Sequence, residues 1–313
     1  MAAEASMADG FDVSVIIPTF ERRELVQRAI RSVLAQSSGR HEIIVVDDGS
    51  TDGTSELLEQ IYGQTIRVIR QENAGVSAAR NTGMRLATAP LIALLDSDDV
   101  WHADKTRLQM AWMQAHPDHG MVLCDVRRIE EDGSEIDVFR RREVIPQDGW
   151  VLGAILRNPS LVPASAMFRR EVFTDVGGFD ETLRTAEDID FHLRVASRWQ
   201  VGVVEQALVD AMRGHEGLSM SDHTYDDYLH VIERTMATPA AAAVPAGVRR
   251  RALAEVYARN ARGMLIRHRW RDAWSLAWKS ARNASSAGEY LQVAKLLPVA
   301  ARRGLRMART AVS

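Results

Sequence analysis

The chain has one cysteine, Cys124, among 313 residues. That excludes an internal disulfide and any cysteine-based zinc cluster, and the apolar neighbours Val122 and Leu123 mark a buried structural thiol rather than a nucleophile. Long apolar runs are also missing. No window approaches the roughly 18 consecutive apolar residues that a spanning helix needs, and the N-terminus lacks the basic-then-apolar order of a signal peptide. The expected location is the cytoplasm. Net charge is small, at −3, and with 46% apolar and 26% charged residues the composition is that of an ordinary globular protein. Nucleic acid is not an expected partner.

Charge is unevenly spread. From Arg249 to Arg309, fifteen lysines and arginines stand against three acidic residues, Glu255, Asp272 and Glu289, while the rest of the chain is acidic. Such segregation separates a body from a basic appendage.

Residues 1–11 are small and polar and read as a disordered leader. Val13–Ile17 reads as a buried strand, and residues 22–36 follow as a helix with Leu25, Val26, Ala29, Ile30, Val33 and Leu34 on one face. The alternation repeats with strand 42–46, helix 53–61, strand 66–69, helix 77–86 and strand 91–95. It predicts an α/β fold with a mostly parallel sheet, helices on both faces, and ligands gathered at the C-terminal strand ends. Beyond residue 119 the rhythm becomes α+β: a hairpin of 121–129 and 136–140, a short helix 150–157, a strand 164–168, a helix 186–198 and a strand 201–204. Residues 238–246, with Pro239 and Pro245, predict an Ala-rich linker. The basic region 247–313 then reads as three helices, 248–268, 271–284 and 288–309. Trp270, Trp274 and Trp278 fall on one stripe of the second. The stripe suits aromatic packing between helices, and the basic surplus leaves docking to a membrane surface or a protein as the alternative.

The apolar run Leu91–Leu95 leads straight into Asp96, Asp98 and Asp99. Three carboxylates at one strand end repel one another and require a cation, hydrogen-bond donors or water. Hard oxygen ligands suit Mg2+ or Mn2+. A solvated turn, or an N-cap for a helix over 101–113, would use the same residues. Three further polar segments reach the same sheet edge: Pro18-Thr19-Phe20-Glu21, Asp47-Asp48-Gly49-Ser50, and Asn73 to Asn81. Asp48 has the chemistry to accept from the imide N–H of a pyrimidine base, and Arg80 has the fork geometry for a diphosphate or a base carbonyl.

The stretches 14–20, 42–54, 73–83 and 94–101 together resemble the family 2 inverting glycosyltransferases of the GT-A fold, and the resemblance extends over residues 12–225. It implies a nucleotide-diphospho-sugar donor, UDP-type favoured, bound by the half 12–118. Pro18, Thr19, Glu21 and Asp48 would surround base and ribose, Arg80 would lie near base or phosphates, and Asp96 near sugar or ribose. Asp98 or Asp99 would be the metal ligand for Mn2+ or Mg2+. In the acceptor half, 119–237, the acidic turn Glu187-Asp188 would be an ordinary helix start by itself. The resemblance makes Asp188 the general base, with Glu187 supporting it. Arg213 and His215 resemble the family's Arg-x-His loop, in which Arg213 would neutralise a departing diphosphate and His215 complete the metal shell. A glycan, a lipid-linked saccharide or a polypeptide would be the acceptor. Two other readings compete. Sugar nucleotidyltransfer uses related architecture but a Gly-rich basic loop after the first strand, where this chain has Pro18 to Glu21. A non-catalytic carbohydrate-binding or scaffold protein on the same fold would not need the acidic and His residues kept here.

Overall fold

The computed structural model describes residues 10–130, 132–159, 162–212 and 224–294. Strand β1 (Val13–Thr19) is buried along its whole length. Helix α1 (Arg23–Leu34) leads to β2 (His41–Asp47), α2 (Thr54–Tyr62) to β3 (Arg67–Arg70), and α3 (Val76–Leu86) to β4 (Leu91–Leu94). Each helix is the crossover that a parallel pair requires. The order β3-β2-β1-β4 is parallel throughout. Register sets Thr19 beside Asp47 and Asp47 beside Arg70, so neighbouring strands end level and present their loops at one edge.

The sheet continues through β5 (Val100–Trp101), β6 (His119–Ile129), β7 (Glu135–Phe139), β8 (Met167–Arg169) and β9 (Gln200–Met212), with α4 (Lys105–Ala115), α5 (Leu152–Arg157), α6 (Arg170–Val176) and α7 (Glu187–Arg198) between them. Here it is mixed. β8 runs antiparallel to β4 and β6, β9 is parallel to β6, and β5 and β7 pair antiparallel at the margins. Sequence periodicity predicts only 201–204 of β9, because Glu205 and Gln206 interrupt the apolar alternation; the strand resumes with buried Leu208, Val209 and Ala211. The helix expected over 101–113 starts at Lys105, since Val100 and Trp101 pair with Asp210 and Val209. Its N-cap is Asp104, so the acidic cluster 96–99 does not cap it.

Alternation along the strands builds two cores, one on each face. Ile16, Ile44, Leu94 and Phe168 meet Phe191 and Val195 of α7 on one side. Val15, Ile17 and Val45 meet Val26 and Ile30 of α1 and Met113 of α4 on the other.

The remaining helices are α8 (Thr224–Met236), α9 (Pro239–Ala243), α10 (Ala246–Ile266), α11 (Trp270–Asn283) and α12 (Ala287–Ala294). The expected linker 238–246 holds a capped turn of helix. Thr238 Oγ1 accepts from the Ala241 N–H (3.2 Å), and Ala241 is fully buried. Ala252 and Val256 of α10 lie in the same core as Phe191, so the first half of this helix is built into the body. Its second half packs on α11 through Tyr257, Met264, Leu265, Leu276 and Ala277. Of the tryptophan stripe, Trp270 packs against that contact, whereas Trp274 and Trp278 do not. Trp274 and Trp278 are 49% and 67% exposed, and small Ala273 and Ala277 face α10 in their place. Among the described residues no helix is long and apolar enough to cross a membrane.

Candidate active site

The loops after β1 and β2 are tied together by Glu21. Its φ of 51° is a left-handed conformation that a side-chain-bearing residue adopts only when its surroundings enforce it. Its N–H donates to Ser50 Oγ (2.9 Å), and its carboxylate accepts from the Thr51 N–H (2.7 Å) and hydroxyl (2.9 Å). Asp47, fully buried, accepts from the Ser50 N–H (2.9 Å) and from the Ser55 hydroxyl. Asp48 accepts from Gln71 Nε2 (2.7 Å) and the N–H groups of Ala74 (3.0 Å) and Gly75 (2.8 Å). Both of its oxygens thus hold the loop entering α3. Pro18 lies within β1 opposite Val46, and the Thr19 hydroxyl is buried without a partner among the described residues.

Two consecutive residues of α3 reach across to the second half. Arg80, 4% exposed, donates from Nη2 to Asp96 (2.7 Å) and from Nη1 to Glu187 (2.8 Å), leaving Nε buried and unpaired among the described residues. Burial works against its charge, but the two carboxylates outweigh it and raise its pKa above that of an ordinary arginine. Asn81 grips the loop before α7: its Oδ1 accepts from the Phe179 N–H (2.7 Å), and its Nδ2 donates to the Phe179 carbonyl (2.9 Å) and to Glu181 (2.7 Å). A β-carbon on Gly178 would lie 2.2 Å from Asn81 Oδ1, so only glycine fits beneath this clamp. Phe179 stacks on Phe191 of α7 with ring centroids 4.6 Å apart.

Ala186, with φ 61°, turns the chain into α7, whose first turn carries Glu187, Asp188 and Asp190 where the helix dipole favours negative charge. Glu187 is neutralised by Arg80, and Asp190 by Arg194 and Arg234. Asp188 has no ion-pair partner among the described residues, and its carboxylate accepts only the N–H of Ile189 (2.8 Å). Burial and the adjacent Glu187 charge, partly opposed by Arg80, push its carboxyl up to about 7. His192, one turn along, is fully buried, and burial lowers its pKa to about 4, so the ring is neutral. Its Nδ1 lies 2.6 Å from the Asp188 carbonyl oxygen and carries the proton, leaving Nε2 unpaired.

In the acidic turn after β4, the Asp99 N–H donates to the Asp96 carbonyl (3.0 Å). Asp99 is 5% exposed, which rules out a merely solvated turn. Asp98 is ion-paired with Arg22 (2.8 Å), which also donates to Ser97 Oγ (3.4 Å). Among the described residues no three His, Cys, Asp or Glu side chains are arranged to hold a metal. Two adjacent hard-oxygen donors do suit Mg2+ or Mn2+, which takes one or two carboxylates and completes its shell with water and phosphate. Arg213 and His215 lie outside the described residues. The sequence does not mark Arg22 as functional and marks Asn81 only as the last residue of the polar segment Asn73 to Asn81, because each acts on a residue distant in sequence.

A parallel half ending in a carboxylate turn, faced by a helix headed with acidic residues, is the arrangement of the GT-A fold. TarS of S. aureus, solved in complex with UDP-GlcNAc, has a TM-score of 0.61 at 18% identity over 87% of this chain and 89% of that one. The mannosyltransferase PcManGT of Pyrobaculum calidifontis, solved with GDP-Man and Mn2+, scores 0.62 at 22% identity over 94% of this chain and 81% of that one. In sequence, residues 14–177 match the glycosyl transferase family 2. The chain belongs to that family. A Rickettsia felis protein named as an uncharacterized glycosyltransferase is 32% identical over 203 residues, covering 63% of this chain and 32% of its own length. The Escherichia coli UDP-Glc:alpha-D-GlcNAc-diphosphoundecaprenol beta-1,3-glucosyltransferase WfgD is 36% identical over 106 residues, 34% of this chain and 42% of that protein. The chain spans about a third of the length of the first curated relatives it matches.

Proposed function

We propose that the protein transfers a sugar from a nucleotide-diphospho-sugar to a hydroxyl acceptor with inversion at the anomeric carbon, Asp188 serving as general base. The observation that carries this reading is the Arg80 bridge, which joins the acidic turn at the end of β4 to the head of α7 with bonds of 2.7 and 2.8 Å. It fixes the carboxylate beside Asp188 while leaving Asp188 without a counter-ion among the described residues. A carboxyl with a pKa of about 7 is matched to taking a hydroxyl proton near neutral pH. In this reading Glu187 orients Asp188. Asp96 lies next to the sugar, Pro18, Thr19 and Glu21 line the nucleotide side, and Arg213 would neutralise the departing diphosphate. The unpaired Thr19 hydroxyl and Arg80 Nε are hydrogen-bonding groups a donor would satisfy. Asp48 shapes the nucleotide site through the 71–75 loop, to which both its oxygens are bonded.

Asp98 and Asp99, with His215, would hold Mn2+ or Mg2+. When bound, the cation supplies counter-charge for the leaving nucleoside diphosphate. Before that, Asp98 must leave Arg22. A UDP-sugar is the favoured donor, in line with the UDP-GlcNAc complex of TarS, and a lipid-linked or surface glycan is the favoured acceptor, in line with the name of WfgD. A cytoplasmic site of action agrees with such a donor.

A thermal-shift panel of UDP- and GDP-sugars with Mn2+ tests the reading. A donor held at a hundredfold its Kd stabilises the fold by about 2.7 kcal/mol, and a UDP-sugar is expected to do so. A shift produced by nucleoside triphosphate with sugar phosphate, and by no nucleotide sugar, would instead favour nucleotidyltransfer.

A further inference from the structure

The outward face of α11 is not that of an ordinary solvated helix. Arg271, Trp274, Trp278 and Arg282 are spaced at i, i+3, i+7 and i+11, which places all four on one stripe. All four are exposed, with Trp274 and Trp278 at 49% and 67%. Neither arginine has an ion-pair partner among the described residues. Among the nearby positive charges Lys279 pairs with Glu233, Arg269 with Asp226 and Asp272, and Arg251 with Glu255, whereas Arg249, Arg250, Arg259 and Arg262 of α10 share with Arg271 and Arg282 the lack of an ion-pair partner among the described residues. On the adjoining α12, Tyr290 and Leu291 are also more than half exposed. Two tryptophans are a costly choice for a water-facing surface, and the opposite face of α11 already buries Ala273, Leu276, Ala277 and Ser280 against α10.

We propose that this stripe seats the protein on an anionic lipid surface. Indole rings, apolar with one N–H donor, belong at the headgroup level, and free guanidinium groups beside them complement lipid phosphates. Charge complementarity selects the lipid over a second copy of the chain. Two copies would bring the unpaired Arg271 and Arg282 of each face together, and this stripe holds no carboxylate to offset them. The surrounding sequence carries the same sign, with fifteen basic against three acidic residues from Arg249 to Arg309. The inference is independent of the transfer chemistry, because no residue of the stripe lies among the candidate active-site residues.

Co-sedimentation of the full chain with vesicles tests it. Vesicles half phosphatidylglycerol and half phosphatidylcholine should bind the protein, pure phosphatidylcholine should bind it far less, and high salt should release only the part of the binding held by charge. Removing both charges with R271Q/R282Q should weaken binding about twenty-fivefold, roughly fivefold per arginine near an anionic surface. The W274S/W278S pair should lose most of the binding that persists in high salt. Both variants should keep the wild-type circular dichroism and any nucleotide-sugar thermal shift, which separates failure of docking from failure of the donor site. Equal vesicle binding by wild type and variants would overturn the proposal. So would absence of binding, or a wild-type dimer that W274S/W278S converts to monomer without any lipid affinity.

Discussion

Replacing Arg80 by methionine keeps the length and apolar bulk of the side chain and deletes the charge that links Asp96 to Glu187. Breaking a buried ion pair by removing one partner costs about 3–5 kcal/mol, because the other charge stays desolvated. Side-chain exposures are 5% for Arg80, 12% for Glu187 and 24% for Asp96, so the Glu187 arm is in that regime while water compensates much of the Asp96 arm. The expected loss is therefore at the lower end, about 3 kcal/mol. Urea unfolding followed by circular dichroism measures it. A double-mutant cycle with Glu187→Gln should show coupling of about 1–3 kcal/mol, since the second change removes the stranded charge. Arg80 also holds the Asp188 pKa down, so Arg80→Met should move the rising limb of the rate–pH profile further upward. A loss under about 1 kcal/mol, or a limb that does not move, would refute the bridge as the link between the two halves.

Asn81→Ala strands the N–H and carbonyl of Phe179; it should cost about 1–3 kcal/mol and lower kcat with little change in donor KM, as steady-state kinetics would reveal. A raised carboxyl pKa means that the folded chain keeps a proton the unfolded chain releases. Stability from Asp188 is thus full below pH 3.8 and lost as pH rises towards about 7. Asp188→Asn should flatten that part of the unfolding free-energy curve against pH. Arg22→Ala frees Asp98 from its 2.8 Å ion pair and should tighten Mn2+ binding in the presence of UDP, measured by calorimetry; weaker binding would place Asp98 outside the metal site.

The parallel half was legible because each of its strands is a short apolar run followed by an amphipathic helix, and because its polar motifs all stand at strand ends. What lies beyond depends on pairing that no local pattern encodes. β9 crosses the polar Glu205-Gln206 step because β6 supplies its hydrogen bonds on the far side. α9 joins the body through Ala241, whose Ala-rich surroundings read as linker composition, and the first half of α10 joins it through Ala252 and Val256. The tryptophan stripe shows the limit most clearly: helical spacing places three rings on one face but does not say which face is buried. In the site, Asp96, Asp98, Asp99, Glu187 and Asp188 were recognisable as clustered carboxylates. Their cations were not, since Arg22 and Arg80 stand 76 and 107 positions from Asp98 and Glu187. Asp48 was expected at a nucleotide base, and its carboxylate is bonded to its own neighbouring loop.

The central claim is that Asp188 takes the acceptor proton, and Asp188→Asn tests it most directly, with nucleotide-sugar binding by thermal shift and sugar transfer measured on the same preparation. The account predicts donor binding within about threefold of wild type and transfer reduced at least a hundredfold, the lower end of what a general base contributes. Transfer at the wild-type rate with an asparagine at 188 would contradict it.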